Sequence, residues 1–259
     1  MNEFALRRSI KLHAPGDFAG MRAAGRLVAA ALDMIGAHVR AGISTAELDR
    51  ICHAFVLEQG AVPASLGYRG YAHATCISLN HVVCHGIPGE RRLVEGDILN
   101  VDLAVILDGW HGDSSRMYAV GAVGTRAQRL MDVTQAAMMR GIAAIRPGAT
   151  LGDIGYAIQR YVEAERFSVV RDFCGHGLGR VYHDAPDVLN YGRRGDGPAL
   201  RPGMFLTVEP MVNAGRPEVK VLGDGWTAVT RDRSLSAQYE HSVGVTETGY
   251  EIFTLSSLG

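Results

Sequence analysis

An excess of positive charge is missing from this sequence. Its 26 Lys and Arg are offset by 27 Asp and Glu, a formal net charge of -1. No run of basic residues forms a patch, which excludes an electrostatic footprint for specific nucleic acid or for an anionic membrane surface. Long apolar runs are missing too: the Ala-rich stretch 23–37 is interrupted by Arg26 and Asp33, too soon for a membrane span. Residues 1–8 lack the apolar core of a secretion signal. Cysteine is scarce. Cys52, Cys76, Cys84 and Cys174 show no Cys-x-x-Cys spacing, which excludes a zinc ribbon and a disulfide framework and points to a reducing cytoplasm. Each reads as a small buried hydrophobe rather than a nucleophile. Cys84 and His85, adjacent on a strand, would point to opposite faces and make no Cys/His pair.

What is present is an ordinary globular composition. With 259 residues, 47% hydrophobic and 20% charged, the chain can bury one large core. No linker divides it, so a single domain over 1–259 is expected. Helical spacing of Leu, Ile, Val, Met and Ala predicts helices at about 17–39, 44–59, 125–145 and 150–165. Strands are expected near 75–79, 98–106, 116–120, 205–211, 226–230 and 238–246, and the Gly- and Arg-rich stretch 191–202 reads as a loop. The class is α+β, helices covering a mostly antiparallel sheet.

Against that background, six polar residues need partners: Asp102, Asp113, His176, His183, Glu209 and Glu240 sit in strand-like or turn-like stretches. Asp102 lies within an apolar run from Ile98 to Leu107, and Glu209 follows another from Met204 to Val208. A buried, unpaired carboxylate is very costly. At roughly 5 Å and an effective dielectric of about 20, each like-charged pair costs on the order of 3 kcal/mol. Several such carboxylates together take up protons or bind cations, and the nearby histidines favour cations. Asp108-Gly109 suits a two-residue hairpin turn. Asp102 then falls opposite Ser115, and Asp113 lies on the same face, within joint reach of one ion. Taken alone, Asp102 reads equally as a satisfied core carboxylate and Asp113 as a turn residue; their shared face favours a metal.

The chain also repeats itself weakly. Arg40-Ala41-Gly42-Ile43-Ser44-Thr45-Ala46-Glu47 matches Arg146-Pro147-Gly148-Ala149-Thr150-Leu151-Gly152-Asp153, each with a Ser or Thr three residues before an acid, as in a capping box. Gly96 to Asp102 then matches Gly203 to Glu209 at nearly the same offset. The second match superimposes one proposed ligand on another and predicts acids gathered about a pseudo-twofold axis; chance similarity is the alternative for stretches this short.

Taken together, the segments Val83-Cys84-His85-Gly86-Ile87-Pro88, Asp108-Gly109-Trp110-His111-Gly112-Asp113, Gly175-His176-Gly177-Leu178-Gly179-Arg180, Thr207-Val208-Glu209-Pro210-Met211 and Ser234-Leu235-Ser236-Ala237-Gln238-Tyr239-Glu240-His241 resemble type I methionine aminopeptidases, in order and with compatible spacing from about 22 to 248. The resemblance implies the pita-bread fold, a pseudo-twofold repeat with a curved, mostly antiparallel sheet covered by helices. It also implies removal of the initiator methionine when the second residue is small. The family's metal ligands fall on Asp102, Asp113, His176, Glu209 and Glu240. In that pattern Asp113 and Glu240 bridge two divalent ions, Asp102 chelates one, and His176 with Glu209 completes the other. Such donors suit Mn, Fe, Co or Zn.

The resemblance further makes His85 and His183 substrate-contacting residues, removing His183 from the ligand set that spacing alone suggested, and makes Glu209 the proton shuttle. Tyr68, Tyr71, Cys76, Tyr182 and Trp226 align with the family's methionine pocket. Asn80 and Ser236 resemble positions lining a Na or K site, with ordinary turn and strand hydrogen bonding as the alternative. Ser65 stands where many members carry cysteine, Tyr182 where phenylalanine is common, and His81 where an acid is frequent. The implied partners are the N-termini of nascent polypeptides, with a transient ribosome contact as an accessory expectation but no zinc-binding or proline-rich N-terminal extension to carry it. No membrane partner is implied, and a cytoplasmic monomer is expected. Two alternatives stand: a proline-specific aminopeptidase of the same fold, expected to carry a large extra N-terminal domain, and a non-catalytic pita-bread binding protein, expected to have lost ligands.

Overall fold

The computed structural model describes residues 9–256 and 258; residues 1–8, on which the absence of a secretion signal was read, lie outside them. Four helices form where hydrophobic spacing predicts them: α1 Asp17–Gly36, α2 Thr45–Glu58, α3 Thr125–Ala143 and α4 Leu151–Ala164. The Ser44 hydroxyl accepts from the Glu47 amide at 3.1 Å, and Asp153 reaches back to the Thr150 amide at 2.8 Å. Both matched stretches therefore cap a helix, each cap worth about 1 kcal/mol.

The strands are shorter and more numerous than the expected set. They are β1 Val62–Pro63, β2 Cys76–Leu79, β3 Val82–Cys84, β4 Ile98–Leu107, β5 Trp110–Ala119, β6 Ser168–Val169, β7 Gly175–Gly177 and β8 Asp184–Val188. The chain continues with β9 Phe205–Val208, β10 Met211–Asn213, β11 Val219–Val221, β12 Ala228–Thr230, β13 Ser236–Gln238, β14 His241–Val245 and β15 Tyr250–Ile252. Every pairing is antiparallel, but the ladder divides into four sheets: β1-β4-β2 with β5 on β4, β13-β10-β6, β11-β12-β3, and β15-β14-β9-β7-β8. The strand expected over 205–211 breaks at Pro210, which has no N–H for a ladder. The one expected over 238–246 splits around Tyr239 and Glu240. The one expected from Trp226 begins at Ala228, because the Trp226 and Thr227 amides both donate to Asp224 Oδ1 at 2.9 Å in a side-chain turn.

The long hairpin forms as predicted. Asp108 and Gly109 both take positive φ, 50° and 75°, the conformation of a two-residue turn that matches strand twist. In β4, Leu99, Val101, Leu103 and Val105 are fully buried against Val28, Leu32 and Ile35 of α1 and Leu48 of α2. Each such side chain contributes about 2 kcal/mol. The alternate residues Asn100, Asp102 and Ala104 are thereby turned to the other face. In β9, Leu206 and Val208 enter a second core with Leu130, Ile142, Ile154 and Ile158 from α3 and α4, and Thr207 is left on the opposite face.

The two halves repeat hydrogen bond for hydrogen bond. Gly42 N donates to Leu93 O at 2.8 Å and Leu93 N to Ile43 O at 2.8 Å; Gly148 N donates to Leu200 O at 3.0 Å and Leu200 N to Ala149 O at 2.7 Å. Gly96 and Val120 tie the base of the first hairpin as Gly203 and Val245 tie the second, both bonds 2.9 Å. The halves meet where Glu240 N donates to Ser115 O at 3.1 Å and Ser114 Oγ to Glu240 O at 2.6 Å. Among the described residues, no helix is long and apolar enough to cross a membrane.

Candidate active site

Where the halves meet, a cavity of about 340 Å³ opens onto the polar faces of both hairpins, lined by Asp102, Asp113, His176, Glu209 and Glu240. Asp102 pairs with Ser115 and Asp113 with Ala104, the register expected from the turn, so the two carboxylates share a face. Register also delivers Glu240. His241 pairs with Val208, the last residue of β9, so Glu240 and Glu209 lie just past the end of that ladder. His176 enters on β7, where its amide donates to Thr207 Oγ1 at 2.9 Å.

Ligand atoms of Asp113, His176 and Glu240 lie within 4.8 Å of one another. His176 Nε2 is 3.5 Å from Asp113 Oδ2 and 3.7 Å from Glu209 Oε1. Its other nitrogen, Nδ1, is 3.0 Å from the Gly177 carbonyl. A carbonyl can only accept, so Nδ1 carries the proton and Nε2 is left facing the carboxylates, the arrangement of a metal-binding imidazole. Glu209 Oε1 accepts from Thr207 Oγ1 at 2.7 Å and Oε2 from Gln238 Nε2 at 3.4 Å.

Electrostatically the cluster is unbalanced by itself. Burial, then Asp113 and Glu209, push the Asp102 carboxyl well above its ordinary range; burial, then Asp113, do the same to Glu240; burial raises Glu209 to about 7. Burial alone would lower His176, but the Asp113 hydrogen bond and the Glu209 charge outweigh it and raise the ring to about 9. All four shifts describe a site in want of positive charge. Asp113 Oδ1 and Glu240 Oε1 are buried with no hydrogen-bond partner among the described residues. Orphaned carboxylate oxygens converging with an imidazole fit a divalent cation of hard or borderline character.

His183 lines the same cavity but, like Asp102 and Glu209, is not among the three residues whose ligand atoms lie within 4.8 Å of one another. Its ring packs 4.2 Å from that of His176 and 4.1 Å from Tyr182. Burial, then the neighbouring His176 charge, lower it to about 4 and hold it neutral. His85 also lines the cavity, edge-on to Phe173 at 5.5 Å, and burial lowers its pKa. The strand argument about Cys84 and His85 is corrected. Positive φ at His85, 55°, takes it out of β3, and both residues line the cavity. Burial raises the Cys84 thiol well above its ordinary value and Cys174 to about 11, so these cysteines stay protonated.

The predicted pocket residues Tyr68, Tyr71, Cys76, Tyr182 and Trp226 all border this cavity. Tyr71 meets Trp226 at 4.9 Å and Tyr68 meets Tyr182 at 5.0 Å, each edge to face, while the Tyr71 hydroxyl donates to Thr75 O at 2.9 Å. Two of the three departures from the family pattern are neighbours, Ser65 engaging the Tyr182 hydroxyl. Asn80 and Ser236 come together as well, Ser236 N donating to Asn80 O at 2.8 Å. Their side chains are engaged elsewhere, the Asn80 amide to Asp97 at 2.7 Å and Ser236 Oγ to Asn213 at 2.8 Å. Sequence reasoning missed Thr207, Phe173, Met211 and Gln238. Thr207 was findable, two residues before Glu209 on one strand face; the others arrive through long-range pairing that leaves no local pattern.

Comparisons with known proteins agree with this geometry. The model of Metallopeptidase family M24 matches residues 19–247. Methionine aminopeptidase of Rickettsia prowazekii (strain Madrid E) is 57% identical over 249 residues, spanning 96% of this chain and 96% of the relative. That of Escherichia coli (strain K12) is 52% identical over 249 residues, 95% and 94% of the two chains. The crystal structure of methionine aminopeptidase from Rickettsia prowazekii superimposes with a TM-score of 0.94 at 57% identity, over 95% of this chain and 100% of that one. Prolidase from Pyrococcus furiosus, TM-score 0.78 at 19% identity over 95% of this chain and 66% of its own, shares the fold.

Proposed function

From the membership of this chain in metallopeptidase family M24, we propose that the cavity at the seam of its halves is an aminopeptidase site whose acids and imidazole hold divalent metal. The chain is a methionyl aminopeptidase: it removes methionine from the N-termini of polypeptides and requires a divalent ion. The single observation that carries the site assignment is the convergence of Asp113, His176 and Glu240 within 4.8 Å, beside the partly buried Asp102 and Glu209.

In finer detail, Asp102, Asp113, His176, Glu209 and Glu240 would hold two divalent ions, of Mn, Fe, Co or Zn. Such ions supply Lewis acidity, activating a water as nucleophile and offsetting charge as the carbonyl oxygen becomes anionic. Glu209, held by Thr207 and Gln238, takes a proton from the water and returns it to the leaving amine. His183 and His85, both kept neutral, donate to the substrate amide and orient it. The aromatic wall of Tyr68, Tyr71, Tyr182 and Trp226 encloses the methionine thioether and keeps water from the scissile bond. A closed wall also limits the second residue to a small side chain.

Residues 1–259 act as one domain, as a monomer in the cytoplasm, with nascent chains as substrate and a transient ribosome contact. A Na or K site beside Asn80 and Ser236 is part of the same reading, the two residues being joined by the Ser236 N to Asn80 O bond. A kinetic panel at saturating Mn(II) or Co(II) tests the activity. Met-Ala and Met-Gly peptides are expected to turn over and Met-Lys and Met-Phe peptides to resist. Preference for Ala-Pro peptides would move the chain to the proline-specific branch, and no turnover at full metal loading would leave only a binding role. By the same rule the chain keeps its own Met1, because Asn2 is too large; both lie outside the described residues.

A further inference from the structure

Two more cavities adjoin the active site in series. The first, about 960 Å³, shares Arg69, Cys174, His176 and His183 with the catalytic cavity and passes along Asp184 to Asp187. The second, about 600 Å³, shares Asp187 and Pro198 with the first and ends against Leu189, Tyr191 and Arg171. A single trough thus leads from His176 to the outer surface near the 191–202 loop. Beyond the residues it shares with the catalytic cavity, removal of one methionine uses none of it, since that reaction needs only the methionine pocket and room for a small second residue.

We propose that this trough binds the substrate downstream of its second residue, as an extended polypeptide with an apolar side chain seated in the outer cavity against Tyr191. The inference rests on the aminopeptidase function proposed above, in which the substrate is a long chain that must leave the scissile bond by some path. Continuity with the catalytic cavity supplies that path. Its wall suits an extended backbone: β8 is an edge strand, hydrogen-bonded on one side to β7, and an edge can pair with an added chain. Pro186 has no N–H and the Ala185 N–H already donates to Asp184 Oδ1 at 2.8 Å, so along this stretch the edge accepts rather than donates.

The outer end is preformed rather than induced. Leu151 N donates to Pro198 O at 3.1 Å, Gly152 N to Asp196 O at 2.9 Å, and Gly192 N to Gln159 Oε1 at 3.2 Å, so the loop is fastened to α4. Arg171 lies over the Tyr191 ring at 5.1 Å and holds it in place. Leu189, 39% exposed, supplies apolar surface beside it. A preorganised wall spares a bound peptide the cost of ordering it. Both signs of charge line the trough, Arg69 and Arg171 against Asp184 and Asp187, so the site discriminates little by net charge, as an enzyme serving many different chains requires.

The test compares a Met-Ala tripeptide with a Met-Ala peptide of about ten residues, which spans ~33 Å when extended, on metal-loaded wild type, Asp187→Lys and Tyr191→Ala. Wild type is expected to favour the long peptide on the order of tenfold in kcat/KM, through KM, as uniform binding remote from the chemistry does. Both substitutions, on exposed or half-exposed residues away from the catalytic cluster, are expected to erase that advantage while tripeptide turnover stays within about twofold. Tripeptide turnover without a long-peptide advantage, or an advantage that survives both substitutions, overturns this inference alone. Failure of wild type to cleave either peptide overturns the aminopeptidase function and the trough with it.

Discussion

In the first half of the chain, Asp102 sits on a ten-residue strand that turns back at Asp108-Gly109 and returns Ser115 to face it. In the second half Glu209 holds the matching place, but its strand stops at Val208. The chain then runs through residues 210–239 before Glu240 comes back opposite. That detour carries Met211, Trp226 and Gln238 to the cavity. One scaffold is thus used twice, once tight and once open. The tight copy contributes Asp102 and Asp113 to the cavity, while the open copy adds His176, Glu209 and Glu240 and part of the cavity wall. Asymmetry at matched positions matters too: Ser115 occupies the place of Glu240, and the two are joined through the Glu240 N to Ser115 O bond. Two charged groups there would face each other with no ion between them; a serine lets the seam close.

The strongest test of this division removes one charge from each copy. Asp113→Asn from the tight hairpin and Glu240→Gln from the open one are each expected to lower metal content and kcat/KM together, on the order of 10³-fold in rate. Metal analysis alongside kinetics checks both. Wild-type metal content and turnover in either variant would remove that residue from the ligand set and break the pairing of the two halves.

A smaller effect is expected from His85 and His183, for which substrate contact without metal binding is proposed. His85→Ala and His183→Ala should each reduce kcat by about 10²-fold, as loss of a donor acting in the transition state does, with metal content near wild type. Loss of metal from His183→Ala would return that residue to the ligands and show that the open copy supplies four.

The smallest effect addresses the scaffold itself. If the halves are equivalent below the site, Ser44→Ala and Thr150→Ala should each cost about 1 kcal/mol of stability, read by urea unfolding, with little change in turnover. A marked inequality between the two would mean that the detour in the second half has shifted stability from one helix start to the other.

How much of this was legible beforehand differs by kind of residue. Asp102 and Asp113 could be paired from sequence, because a two-residue turn of known chirality sets register, and register sets faces. The helix caps were legible for a similar reason, as hydrogen bonds spanning three residues. Glu240 could be named from sequence but not placed, since its neighbours in space are Ser115 and Glu209, joined through separate segments. Pro210 was visible, yet its consequence, two short strands in different sheets, depended on what each half-strand met.

The sequence by itself determined the helices, the first hairpin, the repeat and the identity of the acids, because all of these follow from turn chemistry, periodicity and capping over a few residues. The resemblance put His176 rather than His183 among the ligands, but only the tertiary structure shows how each ring is held. His176 faces the carboxylates because its Nδ1 is held by the carbonyl of Gly177 while Nε2 points at Asp113. His183, seven residues on, packs at a tilt against the His176 ring instead. Likewise only the fold could turn Tyr68, Tyr71, Tyr182 and Trp226 into one wall, since aromatic rings pack equally well in a core, and what makes them a pocket is the space that long-range strand pairing leaves between them.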